Sequence, residues 1–138
     1  QVFGGDAPGI AEKYNTELDD VVNAVKAKTD SLADADRPTV MHGNSVYTTN
    51  LDGTGTIIDT WIEAAGGRNA VDSPTSDANA QFTMEQIISW NPDVIITGEA
   101  GEVEQILSDS TWASIKAVQN KKVYVNPKGV FGWDRYGV

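Results

Sequence analysis

The run DVIITG, Asp93 to Gly98, sets the tightest limit on how this chain can fold. Val94 to Thr97 follow one another with no alternating polar residue, the pattern of a strand covered on both faces within a parallel sheet. Asn91-Pro92 stops the chain ahead of the run and Gly98 breaks it behind, which leaves too few residues for a helix. The segments around it carry a different period. Upstream, Thr83-Met-Glu-Gln86 is a capping box ahead of Ile87, Ile88 and Trp90, so a short helix starts there. Downstream, Glu102 to Leu107 forms a brief helix. Asp109 or Ser110 then caps another, with Trp112, Ile115 and Val118 toward the core, before a strand at KVYVN.

The first half repeats this order. Pro8 to about Thr29 places Ile10, Tyr14, Leu18, Val21, Val22 and Val25 at three- and four-residue steps, one long amphipathic helix. The polar connector DSLADADR follows, and Pro38 opens the strand TVMHG. After a loop rich in Asn, Thr and Gly, a helix from Thr56 carries Ile57, Ile58, Trp61, Ile62 and Ala65 on one stripe. Gly66-Gly67 ends it with a left-handed cap. Strands are thus expected near 39–42, 69–71, 93–97 and 122–126. The fold is α/β: a three-layer sandwich with a mainly parallel sheet of about four strands, helices on both faces, and a long helix in front. Trp61, Trp90 and Trp112 sit on helical apolar stripes and read as core.

Composition narrows the function. A chain of 138 residues with 40% hydrophobic and 22% charged residues has one domain's worth of core. A net charge of −10, with scattered basic residues, argues against a nucleic-acid partner. No apolar run is long enough to span a bilayer. With no cysteine there is no disulfide, thiolate chemistry or Cys-based zinc site. A start at Gln1, without initiator Met or signal peptide, is what a processed or excised chain would show.

In a parallel sheet covered by helices, ligands sit beyond the carboxyl ends of the strands. That rule gathers His42, Asn44, Ser45 and Tyr47 after the first strand, and Thr97, Gly98 and Glu99 after the apolar one. After the last strand it gathers Pro127, Phe131, Trp133, Asp134 and Arg135. Three aromatics near the end, Phe131, Trp133 and Tyr136, are costly to leave in water, and either a ligand or a core contact accounts for them. His42, the only histidine, is a poor metal site alone, and no resident metal or cofactor is expected. Asp134-Arg135 also reads as a plain surface ion pair. Gly53-Thr-Gly55 matches half of a dinucleotide fingerprint, but Ile58 stands where the third glycine belongs and no strand precedes it. No nucleophile elbow is present.

The phrases IEAAGGRN, EQIISWNPDVII and W-x-x-I-K-A-V-x-x-x-K-V-Y occur in this order, with RPTVMHG before them and FGWDR after. From about Ala11 to Tyr136 the chain resembles the substrate-binding proteins of ABC importers for iron–siderophore complexes, haem and cobalamin. The resemblance implies a non-enzymatic, two-lobed protein that grips its ligand between the lobes and delivers it to a permease. It implies that residues 1–30 are the end of an interlobe helix and 31–138 the carboxy-terminal lobe. The amino-terminal lobe and final helices would be absent. It also implies a ligand wall of His42, Asn44, Tyr47, Glu99, Phe131, Trp133 and Arg135. His42 or Tyr47 would meet a haem or ferric centre, and Arg135 a carboxylate or catecholate. Asp52 or Asp59 would serve as the acid that docks to the permease. The implied partners are a metal chelate (siderophore, haem or corrinoid) and an ABC permease. The implied location is the periplasm or outer face of the cell membrane, with a lipoprotein anchor in the whole protein. A cobalamin or oxyanion binder of the same fold is the alternative, and a small α/β enzyme or nucleotide-binding domain the more distant one.

Overall fold

In the computed structural model, residues 6–75 and 81–127 are described. The order of elements is α1 (Ala7–Thr29), β1 (Thr39–Gly43), α2 (Ile57–Ala64), β2 (Arg68–Asn69), α3 (Met84–Trp90), β3 (Val94–Thr97), α4 (Ala100–Ser108), α5 (Lys116–Gln119) and β4 (Val123–Val125). The four strands form one sheet in the order β2-β1-β3-β4, parallel throughout. The expected strands, alternation and long leading helix are all present.

Local chemistry explains the boundaries. Thr56 caps α2 by accepting from the Asp59 N–H, and Gly66 leaves the helix at φ +85°. Thr83 and Gln86 form the reciprocal capping box of α3. Asn91 ends that helix in the left-handed region, at φ 45°. Asp93 then joins the amino ends of β1 and β3. Its Oδ2 accepts from both the backbone N–H and the hydroxyl of Thr39, at 2.9 Å each, and Lys116 Nζ lies 3.5 Å from Oδ1. These donors, the backbone N–H of Thr39 first, hold the Asp93 carboxyl below its ordinary value of 3.8.

A folded value below the unfolded one means that stabilisation is complete above the unfolded value and fades as pH falls through the folded one. Asp93→Asn is therefore expected to cost about 1–3 kcal/mol in urea unfolding at neutral pH. The gap to wild type should close in strong acid. A gap that stays constant down to acid pH would show that the carboxylate charge contributes nothing there.

The sheet's two faces are covered unequally. On one side Met41 and Ile95 pack with Ile87 of α3, Ile106 of α4, Trp112, Ile115 and Ala117 in the main core. On the other side, among the described residues, α2 lies alone, with Ile62 against Val40. Because α2 covers only the β1 side, Val94 and Ile96 are half-buried and Tyr124, beside Ile96, is 53% exposed. Among the described residues, DVIITG is thus covered fully on one face only. The stripe expected on α2 is partial too: Ile62 is buried, whereas Ile57 and Trp61 are exposed. Trp112 is core, and Trp90 packs edge-on against Phe82 at its margin.

The apolar stripe of α1 stands in solvent. Ile10, Tyr14, Leu18, Val21 and Val22 are exposed, and the helix has no buried residue. It meets the rest of the fold near its carboxyl end. There Val21, Val22 and Val25 face Ala64 and Ala65, and Thr29 abuts Gly66. The expectations that involve residues 131–136 fall outside the described residues.

Candidate functional site

The strand order fixes where a site can form. From β1 the chain moves outward through α2 to β2, and from β3 it moves the other way through α4 to β4. The carboxyl ends of β1 and β3 are adjacent strands whose exits diverge, which is the topological switch point of such a sheet. Two loops meet there without a gap. Gly98 donates its N–H to the Gly43 carbonyl at 2.9 Å, and a Cβ at Gly98 would lie 2.7 Å from the Asn44 carbonyl oxygen. Only glycine permits that approach.

Glu102, in the first turn of α4, binds the two loops together. It is 7% exposed. Its Oε1 accepts from the Ser45 hydroxyl at 2.5 Å, and its Oε2 from the Thr97 hydroxyl at 2.5 Å and the Tyr47 backbone N–H at 3.2 Å. The far end of α4 holds the same loop. Tyr47 donates its hydroxyl to Asp109 Oδ2 at 2.9 Å, and its ring stacks on Trp112 with centroids 6.3 Å apart and planes 19° apart. The bond to Asp109, and the Asp109 charge, raise the Tyr47 phenol above its ordinary value of 10.0. The Thr111 backbone N–H is the main cause that lowers Asp109. Near neutral pH, Tyr47 therefore keeps its proton and offers a ring face and a fixed hydroxyl. Direct coordination of a ferric centre by its oxygen would have to break the bond to Asp109.

His42 is turned the other way. It is 6% exposed, and its Nδ1 lies 2.7 Å from Asp52 Oδ2. A carboxylate can only accept, so Nδ1 carries the proton. Asp52 itself is drawn inward, donating its backbone N–H to the His42 carbonyl. Asp59 folds back on its own helix start, accepting from the Gly55 N–H at 2.9 Å. A cavity of about 260 Å³ opens beside His42, lined by Val40, Ile58, Trp61, Ile96 and Asn126 among others. It runs along β1 from Pro38 to His42 beneath α2, on the flank that α2 covers incompletely, and so differs from the edge where the loops meet.

The structure thus brings Asn44, Tyr47 and Glu99 to one edge and leaves Asn44 and Glu99 exposed there. It places His42 and Asp52 together beneath that edge, and Asp59 at the start of α2. Phe131, Trp133 and Arg135 lie outside the described residues. Sequence reasoning gives Glu102 only as a helix start and Asp109 only as a cap, a role the structure keeps. What they hold in the loop after β1, Ser45 and Tyr47, lies more than fifty positions away, a signal that local pattern does not carry. Among the described residues, no group of three or more His, Asp or Glu is arranged to hold a metal ion, and no helix is long and apolar enough to cross a membrane.

Residues 6–129 match the periplasmic binding protein family. The chain is 32% identical over 138 aligned residues to the molybdate-binding protein MolA of Haemophilus influenzae, covering 90% of this chain and 38% of that one. It is 36% identical over 104 residues to a cobalamin-binding protein of Halobacterium salinarum, covering 72% of this chain and 27% of the relative. A periplasmic solute binding protein from Veillonella parvula superposes with a TM-score of 0.74 at 27% identity, covering 94% of this chain and 40% of that one. The chain therefore spans well under half the length of these relatives. With the parallel sheet, its switch point and a match over nearly the whole length, the chain belongs to the periplasmic binding protein family.

Proposed function

We propose that this chain forms one lobe of the substrate-binding component of an ABC importer, and that the carboxyl edge of its sheet is half of a two-lobed grip on a metal chelate or related solute. The family match over residues 6–129 carries this reading. Relatives named for binding molybdate and cobalamin support a small-molecule ligand of this range. Two features of the lobe agree with it. The edge presents a stacked tyrosine, hydroxyls and exposed polar side chains on glycine-tight loops, a surface suited to non-covalent recognition. The exposed stripe of α1 suits a helix that continues onto a second lobe, with this lobe touching only its last turns. In this reading the protein is a carrier rather than an enzyme. It works in the periplasm or on the outer face of the membrane, held there by a lipid anchor. Its lobe acids, Asp59 before Asp52 because Asp52 is engaged with His42, face the permease.

The test compares the 138-residue chain with the longer protein that contains it. Each is titrated with molybdate, cyanocobalamin, haemin and ferric siderophores. Half a grip keeps the entropic cost of association and loses much of the contact, so the longer protein should bind one of these at least about 100-fold more tightly than the isolated lobe. Equal affinity of the two would end the two-lobed reading.

A further inference from the structure

We propose that Glu102 is the positioning residue of the ligand wall: its buried carboxylate fixes the loop that carries Asn44 and Tyr47 without itself reaching the ligand. The proposal rests on the reading of the strand-end edge as the ligand wall. Three segments meet at this one side chain. Ser45 and Tyr47 come from the loop after β1, Thr97 from the last residue of β3, and Glu102 from α4. Both carboxylate oxygens are engaged by these donors, and the side chain is buried beneath the edge rather than open to the cleft. Among the described residues no Lys, Arg or His pairs with Glu102. A buried carboxylate served by neutral donors alone is costly, and what it gains is a fixed geometry at the junction of three segments. The other lasting contacts of the loop depend on that junction. Tyr47 reaches Trp112 and Asp109 from a backbone whose N–H is already held by Glu102.

The geometry also separates shape from charge. In Glu102→Gln the amide oxygen can take the Oε2 position and accept from Tyr47 and Thr97. The amide NH₂ then donates to the Ser45 hydroxyl, which turns its own proton to Thr48 Oγ1, 2.7 Å away. All three partner groups keep a hydrogen bond although the charge is gone, and the second amide N–H is the one group left over. In Glu102→Ala the junction is lost. Ser45→Ala removes one donor of three and leaves the core untouched.

The experiment uses the longer protein that contains this chain, with molybdate, cyanocobalamin and haemin as probes. It adds an ultraviolet titration of the Tyr47 phenol, read as the difference from Tyr47→Phe in each background. For a probe that binds wild type, Glu102→Ala should weaken binding at least tenfold and Ser45→Ala about threefold. Glu102→Gln should recover to within threefold of wild type. The Tyr47 phenol should fall toward its ordinary value of 10.0 in Glu102→Ala and stay raised in Glu102→Gln. Equal loss in the Gln and Ala variants would show that the charge itself touches the ligand and overturn the proposal. So would an Ala variant that leaves both affinity and the Tyr47 titration unchanged. If none of the probes binds wild type, it is the importer reading that loses support, and the Tyr47 titration still decides the role of Glu102. Should Glu102→Ala fail to fold, Ser45→Ala decides: an unchanged affinity and Tyr47 titration in that variant would overturn the proposal.

Discussion

Trp112→Ala is expected to lower stability by about 3–5 kcal/mol, the usual range for deleting a large aromatic from a core. In a domain of this size that should lower the thermal midpoint by roughly 10–20 °C. The reason is position. Trp112 is 2% exposed and packs in one cluster with Ile106, Ile115 and Ile95. It is held in a short 3-10 turn, Ser110–Trp112, whose cap is Asp109. The ring has a second task, because Tyr47 stacks on it. The same substitution should therefore loosen the loop that carries Tyr47, while Trp112→Phe, which keeps most of the apolar area, should cost clearly less. Differential scanning calorimetry reads the first effect, and an ultraviolet titration of the Tyr47 phenol, taken as the difference from Tyr47→Phe in each background, the second. A stability loss below about 1 kcal/mol would mean that the cluster closes around the gap or that the turn is not anchored there.

How this architecture announces itself in the sequence can be traced element by element. TVMHG, DVIITG and KVYVN are each bounded by Pro, Gly or a polar pair, and the strands begin and end within a residue or two of the expected positions. The second strand was expected at 69–71 and is found at Arg68–Asn69. Asn69 explains the shift, because its side-chain oxygen takes the Val71 N–H at 3.0 Å and draws the chain out of the ladder. Helix caps were equally legible, since Thr56, Thr83 and Asn91 act through neighbours three or four residues away.

What escaped the sequence depended on tertiary cover. The stripe Ile57, Ile58, Trp61, Ile62 and Ala65 is apolar at helical spacing, yet only Ile62 is buried, because a single helix lies on that face among the described residues. Periodicity reports which side of a helix faces inward and says nothing of how much protein lies beyond it. The site divides in the same way. That Asn44, Tyr47 and Glu99 follow strand ends could be read from the alternation of elements, whereas His42, expected after the first strand, lies within β1. That His42 turns to Asp52 while Tyr47 turns to Asp109 could not, because both pairings join residues that only the finished fold brings together.

Gly43→Ala should show how tightly the edge is built. Gly43 needs no unusual backbone angle; what it needs is space. A Cβ there would lie 2.1 Å from the Asn50 carbonyl oxygen and 3.2 Å from the Leu51 Cα, both backbone atoms that cannot rotate away. Asn50 is itself tied down by its N–H to the Ser45 carbonyl at 3.0 Å, and Leu51 is 1% exposed, so the loop cannot yield without disturbing the core. The expected cost is about 3 kcal/mol, the upper part of the overpacking range. Gly55→Ala provides the contrast. That glycine sits at φ +81° with nothing within 4 Å of a built Cβ, so the substitution should cost about 1 kcal/mol through backbone strain alone. If the proposed two-lobed grip holds, only Gly43→Ala should also weaken ligand binding, because the atoms it displaces belong to the loop that ends β1 and carries Asn44 and Tyr47. If the two variants proved equal in urea unfolding, the close approach of Gly43 to Asn50 would have to be looser than the structure places it, and the loop would be free to adapt rather than held in one shape.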